Sequence, residues 1–190
     1  MSRTNRTVRE GLMLGGLAYA AVAFFYAAFD VLAARGSLYT VDLLGKALFR
    51  GLQDPTVLQL PITLDYTAIL VYNALHLVTS LAIGLFIAWL IHRAERGTRD
   101  AYLSLVVIAA GFFVTVAVVQ GLTVSIRSLL PTWSIVAANG VAALVAGAAL
   151  VWRRPEVVRL LLPFLRRSSS GGVVSRPGAD PVQPLVGDGS

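Results

Sequence analysis

The sequence is dominated by four apolar stretches, each longer than the roughly 20 residues that an α-helix needs to cross a bilayer. They cover residues 11–34, 66–91, 101–126 and 131–152. None of them shows the period-two alternation of a transmembrane β-strand, and each is too long for one. The pattern predicts an all-α membrane protein with four transmembrane helices, in one domain that covers residues 1–167.

The composition agrees with a membrane location and excludes several kinds of site. Charged residues make up 14% of the chain, whereas soluble domains carry about 25%. The formal net charge is +6, but the arginines lie at the ends of the apolar stretches, so we expect no nucleic-acid partner. Cysteine is absent, which excludes disulfides, thiolate nucleophiles and cysteine-ligated metals.

The basic residues predict the orientation of the chain, because cytoplasmic loops are enriched in lysine and arginine. Twelve arginines lie in the N-terminal tail, in the loop between spans two and three, and after span four. The other two connections carry only four basic residues, which are Arg35, Lys46, Arg50 and Arg127. We therefore expect a multi-pass protein of the cell membrane with both termini in the cytoplasm.

Aromatic residues near the span ends support these boundaries. Trp89 lies near the inner end of span two, and Trp133 and Trp152 lie near the two ends of span four. Tyr66 and Tyr102 open spans two and three. Such amphipathic rings favour the level of the lipid headgroups, although Trp89 could also fill space in the core.

The connection between spans one and two is long enough to hold a helix of its own, at about residues 40–53. Thr40 can cap its start, and Asp42 precedes Lys46 by the four residues that favour a helical ion pair. Its polar residues share one narrow arc and its leucines face away from that arc. We expect an amphipathic helix that lies on the outer membrane surface or on a partner.

The residues after span four are first basic and then low in complexity. Pro155 can start a short helix on the inner surface and Pro163 should end it, while neighbouring arginines meet anionic lipid. Residues 168–190 are rich in Gly, Ser and Pro and bury little apolar area, so we expect a disordered cytoplasmic tail.

Five polar residues inside the predicted spans are candidates for binding a ligand or a proton: His76, Asn73, Asp30, Gln120 and Asn139. By their distance from the span ends, all five lie in the outer half of the membrane, with His76 nearest the centre. Polar side chains in hydrocarbon are costly and therefore face protein or water. The five residues are thus expected to gather inside the bundle.

Span two carries much of this polar character on a single face. Asn73, His76, Ser80 and Gly84 recur at three- and four-residue steps. Ser80, Gly84 and Ala88 also form a ridge of small residues that permits close approach of another helix. This face is predicted to lie at the packed centre of the bundle.

The polar residues allow two interpretations. They can be structural, with hydrogen bonds between helices worth about 0.6 kcal/mol each on average. They can instead line an outward-open cavity in which His76 and Asp30 titrate, since histidine changes charge near neutral pH. A haem held by His76 and His92 of one chain is excluded, because the helix separates them by about 24 Å.

The sequence shows no nucleophile–base pair and no metal cluster, so we expect neither an enzyme nor a cofactor or metal. The leading hypothesis is a non-catalytic accessory or assembly subunit of a membrane complex. Its contacts would be the lipid bilayer and either partner membrane subunits or further copies of itself. The alternative is a small transporter or ligand-binding membrane protein that uses the outward-facing polar cluster around His76.

Overall fold

A computed structural model describes residues 3–51 and 63–153 as five α-helices and one short 3-10 turn. The helices are α1 (Arg3–Leu32), α2 (Tyr39–Phe49), α3 (Tyr66–Ala94), α4 (Thr98–Leu122) and α5 (Thr132–Arg153). Residues 3–51 and 63–153 contain no strand, so the predicted all-α fold is confirmed for this part of the chain. The predicted tail at 168–190 and the short helix between Pro155 and Pro163 lie outside the described residues.

Four of the helices are long and apolar enough to cross a membrane, namely α1, α3, α4 and α5. Each coincides with one predicted span, so the four spans are confirmed in number, length and composition. The boundaries shift at several places: α1 begins at Arg3 rather than at residue 11, α3 continues to Ala94, and α4 begins at Thr98. The third span ends at Leu122, because Val124–Ile126 forms the 3-10 turn instead. The helix predicted at 40–53 ends at Phe49, where Gly51 takes the left-handed φ of 66° that commonly follows a helix end.

The helix α1 lies between α3 and α5 and runs antiparallel to both. The chain termini of the bundle, at Arg3 and Arg153, share one end with the α3–α4 turn, and we call this the terminal end. The opposite end holds α2 and the α4–α5 connection, and we call it the α2 end. This topology follows from four spans joined in sequence, with α2 inserted between the first two.

Glycines allow α1 and α3 to touch backbone to backbone. A Cβ atom on Gly84 would overlap the Gly11 carbonyl oxygen and the Gly15 amide nitrogen. A Cβ on Gly15 would lie 2.7 Å from the Leu81 Cα, well inside van der Waals contact. The predicted ridge of Ser80, Gly84 and Ala88 therefore lies against α1, and Gly84 and Ala88 are both buried there.

The buried apolar residues form two separate clusters. The larger one lies at the α2 end and joins the end of α1 to α2, the 3-10 turn and the start of α5. Its members are Tyr26, Tyr39, Leu43, Leu44, Ile126, Leu130, Ile135 and Ala138. The smaller one, around Leu14 and Ile91, lies at the terminal end. Since Leu43 is fully buried in the larger cluster and Leu44 belongs to it too, α2 packs into the bundle through these two leucines.

Candidate functional site

The end of α1 is shaped so that Asp30 reaches the start of α2. The amide of Arg35 donates to the Asp30 carbonyl and the amide of Ala34 donates to the Val31 carbonyl, which closes the helix in a Schellman motif. Ala34 stands at the left-handed position of this motif, with φ of 54°, where glycine is usual. The chain then turns back, and Asp30 faces Thr40 in α2.

Asp30 caps α2 from outside that helix. Its Oδ2 accepts the Thr40 amide at 2.7 Å, and its Oδ1 accepts the Thr40 hydroxyl at 2.6 Å. The local N-cap residue, Leu38, has no side-chain acceptor. Asp30 is fully buried, and a carboxylate at a helix N-terminus gains from both the free amides and the helix dipole.

A second buried carboxylate fastens α2 to the segment that precedes α3. Asp42 is fully buried, and it accepts Lys46 Nζ at 2.5 Å and the Asp65 amide at 2.7 Å. Lys46 also donates to the Thr63 carbonyl at 2.6 Å. Asp42 and Lys46, the first two residues of the polar arc predicted for this helix, therefore bind partners within the chain. The desolvation of Asp42 is offset by these hydrogen bonds.

Asp65 continues this polar network as the N-cap of α3. Its Oδ1 accepts the Ala68 amide at 3.0 Å, and its Oδ2 accepts Arg50 Nε at 3.0 Å. The hydrogen bond from the Ala68 amide, followed by the contribution of Arg50, lowers the pKa of Asp65 below its ordinary value. The ionised form of this side chain is therefore the one that holds α2 and α3 together.

Midway along the bundle, α1 and α3 enclose a small polar and aromatic group, which we call the His76 cluster: Tyr19, Tyr72, Asn73 and His76. The Tyr19 hydroxyl donates to Asn73 Oδ1 at 3.1 Å, and the Asn73 amide group donates to the Ile69 carbonyl at 2.9 Å. The His76 ring lies edge-on to Tyr19, with 5.3 Å between ring centroids. The Tyr72 ring lies 5.9 Å from the His76 ring, measured between their centroids.

Within the His76 cluster, the imidazole of His76 is the group available for binding or proton exchange. Asn73 is satisfied at both its oxygen and its nitrogen, and Tyr19 donates to Asn73. Within residues 3–51 and 63–153, the ring nitrogens of His76 form no hydrogen bond, and the side chain is half-buried. A neutral imidazole has one donor and one acceptor, so His76 can bind a polar group or exchange a proton.

The structure brings together only two of the five candidate residues, Asn73 and His76. Asp30 lies in the network at the α2 end, about 16 Å along α1 from Tyr19 at 1.5 Å per residue. Asn139 bonds within its own helix, to the Ile135 carbonyl at 2.8 Å. Gln120 lies half-buried near the end of α4, a helix that packs on α3 and α5. A single cavity lined by all five residues is therefore not formed.

Two residues of the His76 cluster, Tyr19 and Tyr72, were not among the candidates. Tyr19 follows Gly11 and Gly15 at four-residue steps, so the sequence does place it on the glycine face of α1. Tyr72 precedes His76 by four residues on α3. The spacing alone does not predict that these two helix faces pack together, because helical periodicity identifies a face but not the helix that it contacts.

Within residues 3–51 and 63–153, no three His, Cys, Asp or Glu side chains lie close enough together to hold a metal ion. His92, the second histidine, pairs with Glu95 at 3.2 Å at the terminal end. Comparisons of the chain with protein-family models, with curated proteins and with solved structures found no match.

Proposed function

We propose that this protein is a non-catalytic subunit of a larger membrane complex and that α4 is the helix that contacts its partner. The observation that carries this proposal is the exposure of α4. In the most apolar 18-residue stretch of each helix, 6% is buried in α4, compared with 28% in α3 and 17% in α1 and in α5. A helix with so little contact to its own chain offers most of its surface to other molecules.

The contacts of α4 with its own chain are concentrated near its ends. At the terminal end, Ala101 is buried and the Ser104 hydroxyl donates to the Leu90 carbonyl at 3.0 Å. At the α2 end, Val119 packs against the larger core cluster. Between these points, Phe113 and Val114 are 70% and 61% exposed. The centre of α4 therefore stands away from the rest of the bundle.

The small residues of α4 favour another helix over lipid as the neighbour of its exposed centre. Gly111 and Gly121 have no atom within 4 Å of the position that a Cβ would take, and Ala109, Ala110 and Ala117 are exposed. Small residues let two membrane helices approach closely, and the resulting van der Waals packing is one of the forces that drive helix association in lipid. The partner would be an apolar transmembrane helix of another subunit.

The orientation we propose follows the basic residues, with the terminal end in the cytoplasm and α2 at the outer surface. Arginines at the terminal end outnumber the basic residues at the α2 end, and such a bias favours the cytoplasmic side. In this orientation α2 lies at the outer interface, with Leu48 and Phe49 of α2 40% and 43% exposed toward the membrane surface.

A photo-crosslinking experiment in the native membrane tests the subunit proposal. A photoreactive phenylalanine analogue at Phe113 should form an adduct with a second membrane protein. The same analogue at Phe24, which is 77% exposed on α1, is the matched control and should label lipid alone. If Phe113, Val114 and Val118 all give no protein adduct and the extracted protein is a monomer, the proposal is wrong.

The second candidate function is ligand or proton binding at the His76 cluster, since His76 has free nitrogens within a half-buried aromatic group. In proteoliposomes, flux or binding should be abolished by His76→Ala and retained by Asn139→Ala, which removes a hydrogen bond within one helix. If His76→Ala lowers only the thermal stability and leaves flux and binding unchanged, His76 serves packing between α1 and α3.

A further inference from the structure

The last turns of α3 carry an exposed row of two aromatic rings and one guanidinium group. Phe86 and Trp89 stack with 5.9 Å between their centroids and 21° between their planes. The Arg93 guanidinium lies 5.8 Å from the centre of the Trp89 ring. Phe86 and Trp89 are 50% and 48% exposed, and the Arg93 side chain is 49% exposed. The row therefore faces away from the bundle along its whole length.

The α3–α4 turn next to this row carries more arginine than its carboxylates neutralise. Glu95 pairs with His92 at 3.2 Å, and Asp100 reaches Arg93 only at 3.8 Å. Arg96 and Arg99 are exposed, and no ion pair to either is formed within residues 3–51 and 63–153. Arg93 and Arg96 thus keep donors available for an anion that approaches from the membrane.

The row has the composition expected where a lipid changes from headgroup to acyl chain. Trp89 stands about 6 Å along the helix from Arg93, at 1.5 Å per residue. Exposed tryptophan favours the interface, while phenylalanine one turn deeper faces hydrocarbon. On the same side of α3, the exposed Ile83 continues the apolar surface toward the centre. Along the row, charge is followed by apolar surface, in the same order as the headgroup and the acyl chains of a phospholipid.

We propose that Phe86, Trp89, Arg93 and Arg96 form a binding site for one anionic phospholipid. The guanidinium groups of Arg93 and Arg96 bind the phosphate and the anionic headgroup, since the planar fork of arginine matches phosphate oxygens in pairs. Trp89 and Phe86 pack against the glycerol region and the first part of an acyl chain. This site needs only the interfacial depth of the α3–α4 turn, so it can form in either leaflet and without a partner subunit.

Quenching of Trp89 fluorescence by brominated lipid tests the site in the full chain. Trp133→Phe and Trp152→Phe leave Trp89 as the only tryptophan. In phosphatidylcholine bilayers with a small, equal fraction of brominated lipid, brominated phosphatidylglycerol should quench Trp89 more strongly than brominated phosphatidylcholine. Each arginine near an anionic headgroup contributes roughly fivefold to association, so R93Q/R96Q should lose about 30-fold in selectivity.

Two matched variants separate lipid binding from damage to the fold. R127Q removes an exposed arginine from the α2 end and should leave the selectivity at Trp89 unchanged. D100N frees Arg93 from its carboxylate and should raise the selectivity several-fold, a gain that misfolding does not produce.

The site would be refuted by equal quenching from the two brominated lipids or by selectivity that survives R93Q/R96Q. Inorganic phosphate at constant ionic strength should not compete. If inorganic phosphate alone removes the selectivity, the arginines bind free phosphate and the lipid site is wrong.

Discussion

Asp30 shows how a carboxyl group can be buried at the end of a long apolar helix with both of its oxygens hydrogen-bonded. Both of its oxygens accept hydrogen bonds from Thr40, and the side chain is fully buried. A buried carboxylate without partners would cost several kcal/mol, whereas here its partners are the amide and the hydroxyl at a helix start. Of the two interpretations of the polar residues, the geometry at this residue favours the structural one.

Ala34 stands where the Schellman motif that positions Asp30 would normally use glycine. A left-handed backbone costs an L-residue about 1–2 kcal/mol, and glycine avoids this cost. Part of the resulting stabilisation is lost, because glycine has more conformational entropy than alanine in the unfolded chain. Ala34→Gly should therefore raise the free energy of unfolding by about 0.5–1 kcal/mol, measured by thermal unfolding in mild detergent.

The matched control is Ala20→Gly in the middle of α1, where the backbone is helical and glycine should destabilise by about 0.5–1 kcal/mol. The two substitutions make the same chemical change at two backbone conformations. Equal destabilisation by both would contradict the strain assigned to Ala34.

The stability of the α2–α3 junction should depend on the ionisation of Asp65. Since hydrogen bonds lower its folded pKa below the ordinary value of about 3.9, the stabilisation is present above that value and is lost as the pH falls through the folded pKa. Asp65→Asn keeps a capping oxygen but has no charge. The difference in midpoint of thermal unfolding between wild type and D65N should shrink as the pH is lowered from 6 to 3.

A difference that stays constant over the whole pH range would mean that the charge of Asp65 does not contribute.

The close packing of α1 on α3 leaves no room for a side chain at Gly84. A Cβ at Gly84 would meet backbone atoms of Gly11 and Gly15, which cannot move like a flexible side chain. Gly84→Ala should therefore lower the free energy of unfolding by about 1–3 kcal/mol. Gly140→Ala on α5, where nothing lies within 4 Å, should instead be neutral or stabilising. If both variants unfold at the same temperature, the α1–α3 crossing is not as close as described.

The four spans and the small-residue face of α3 could be predicted from the sequence because each depends on local hydropathy and helical spacing. The partner of that face could not, since Gly11 and Gly15 become its complement only once α1 lies antiparallel to α3. The pairing of Tyr19 with Asn73 was hidden for the same reason. The early end of α2 could have been predicted, because Gly51 is a local signal.

Considered as a whole, the molecule has a compact part and a protruding part. The compact part is formed by α1, α3 and α5, with α2 closing one end through Asp30, Asp42 and Asp65. The protruding part is the centre of α4, which is the most apolar span and the least buried. A protein built in this way can keep its own fold while α4 contacts another chain, as we propose for this one.

The proposed orientation of the whole molecule can be tested with single cysteines, because the natural chain contains none. Ser37 and Gly97 are exposed residues in the α1–α2 and α3–α4 connections, at opposite ends of the bundle. In intact cells, a membrane-impermeant maleimide should label Ser37→Cys, whereas Gly97→Cys should react only after the membrane is permeabilised. The reverse pattern would place the termini outside and overturn the orientation drawn from the arginines. Labelling of both in intact cells would mean that the chain inserts in two orientations.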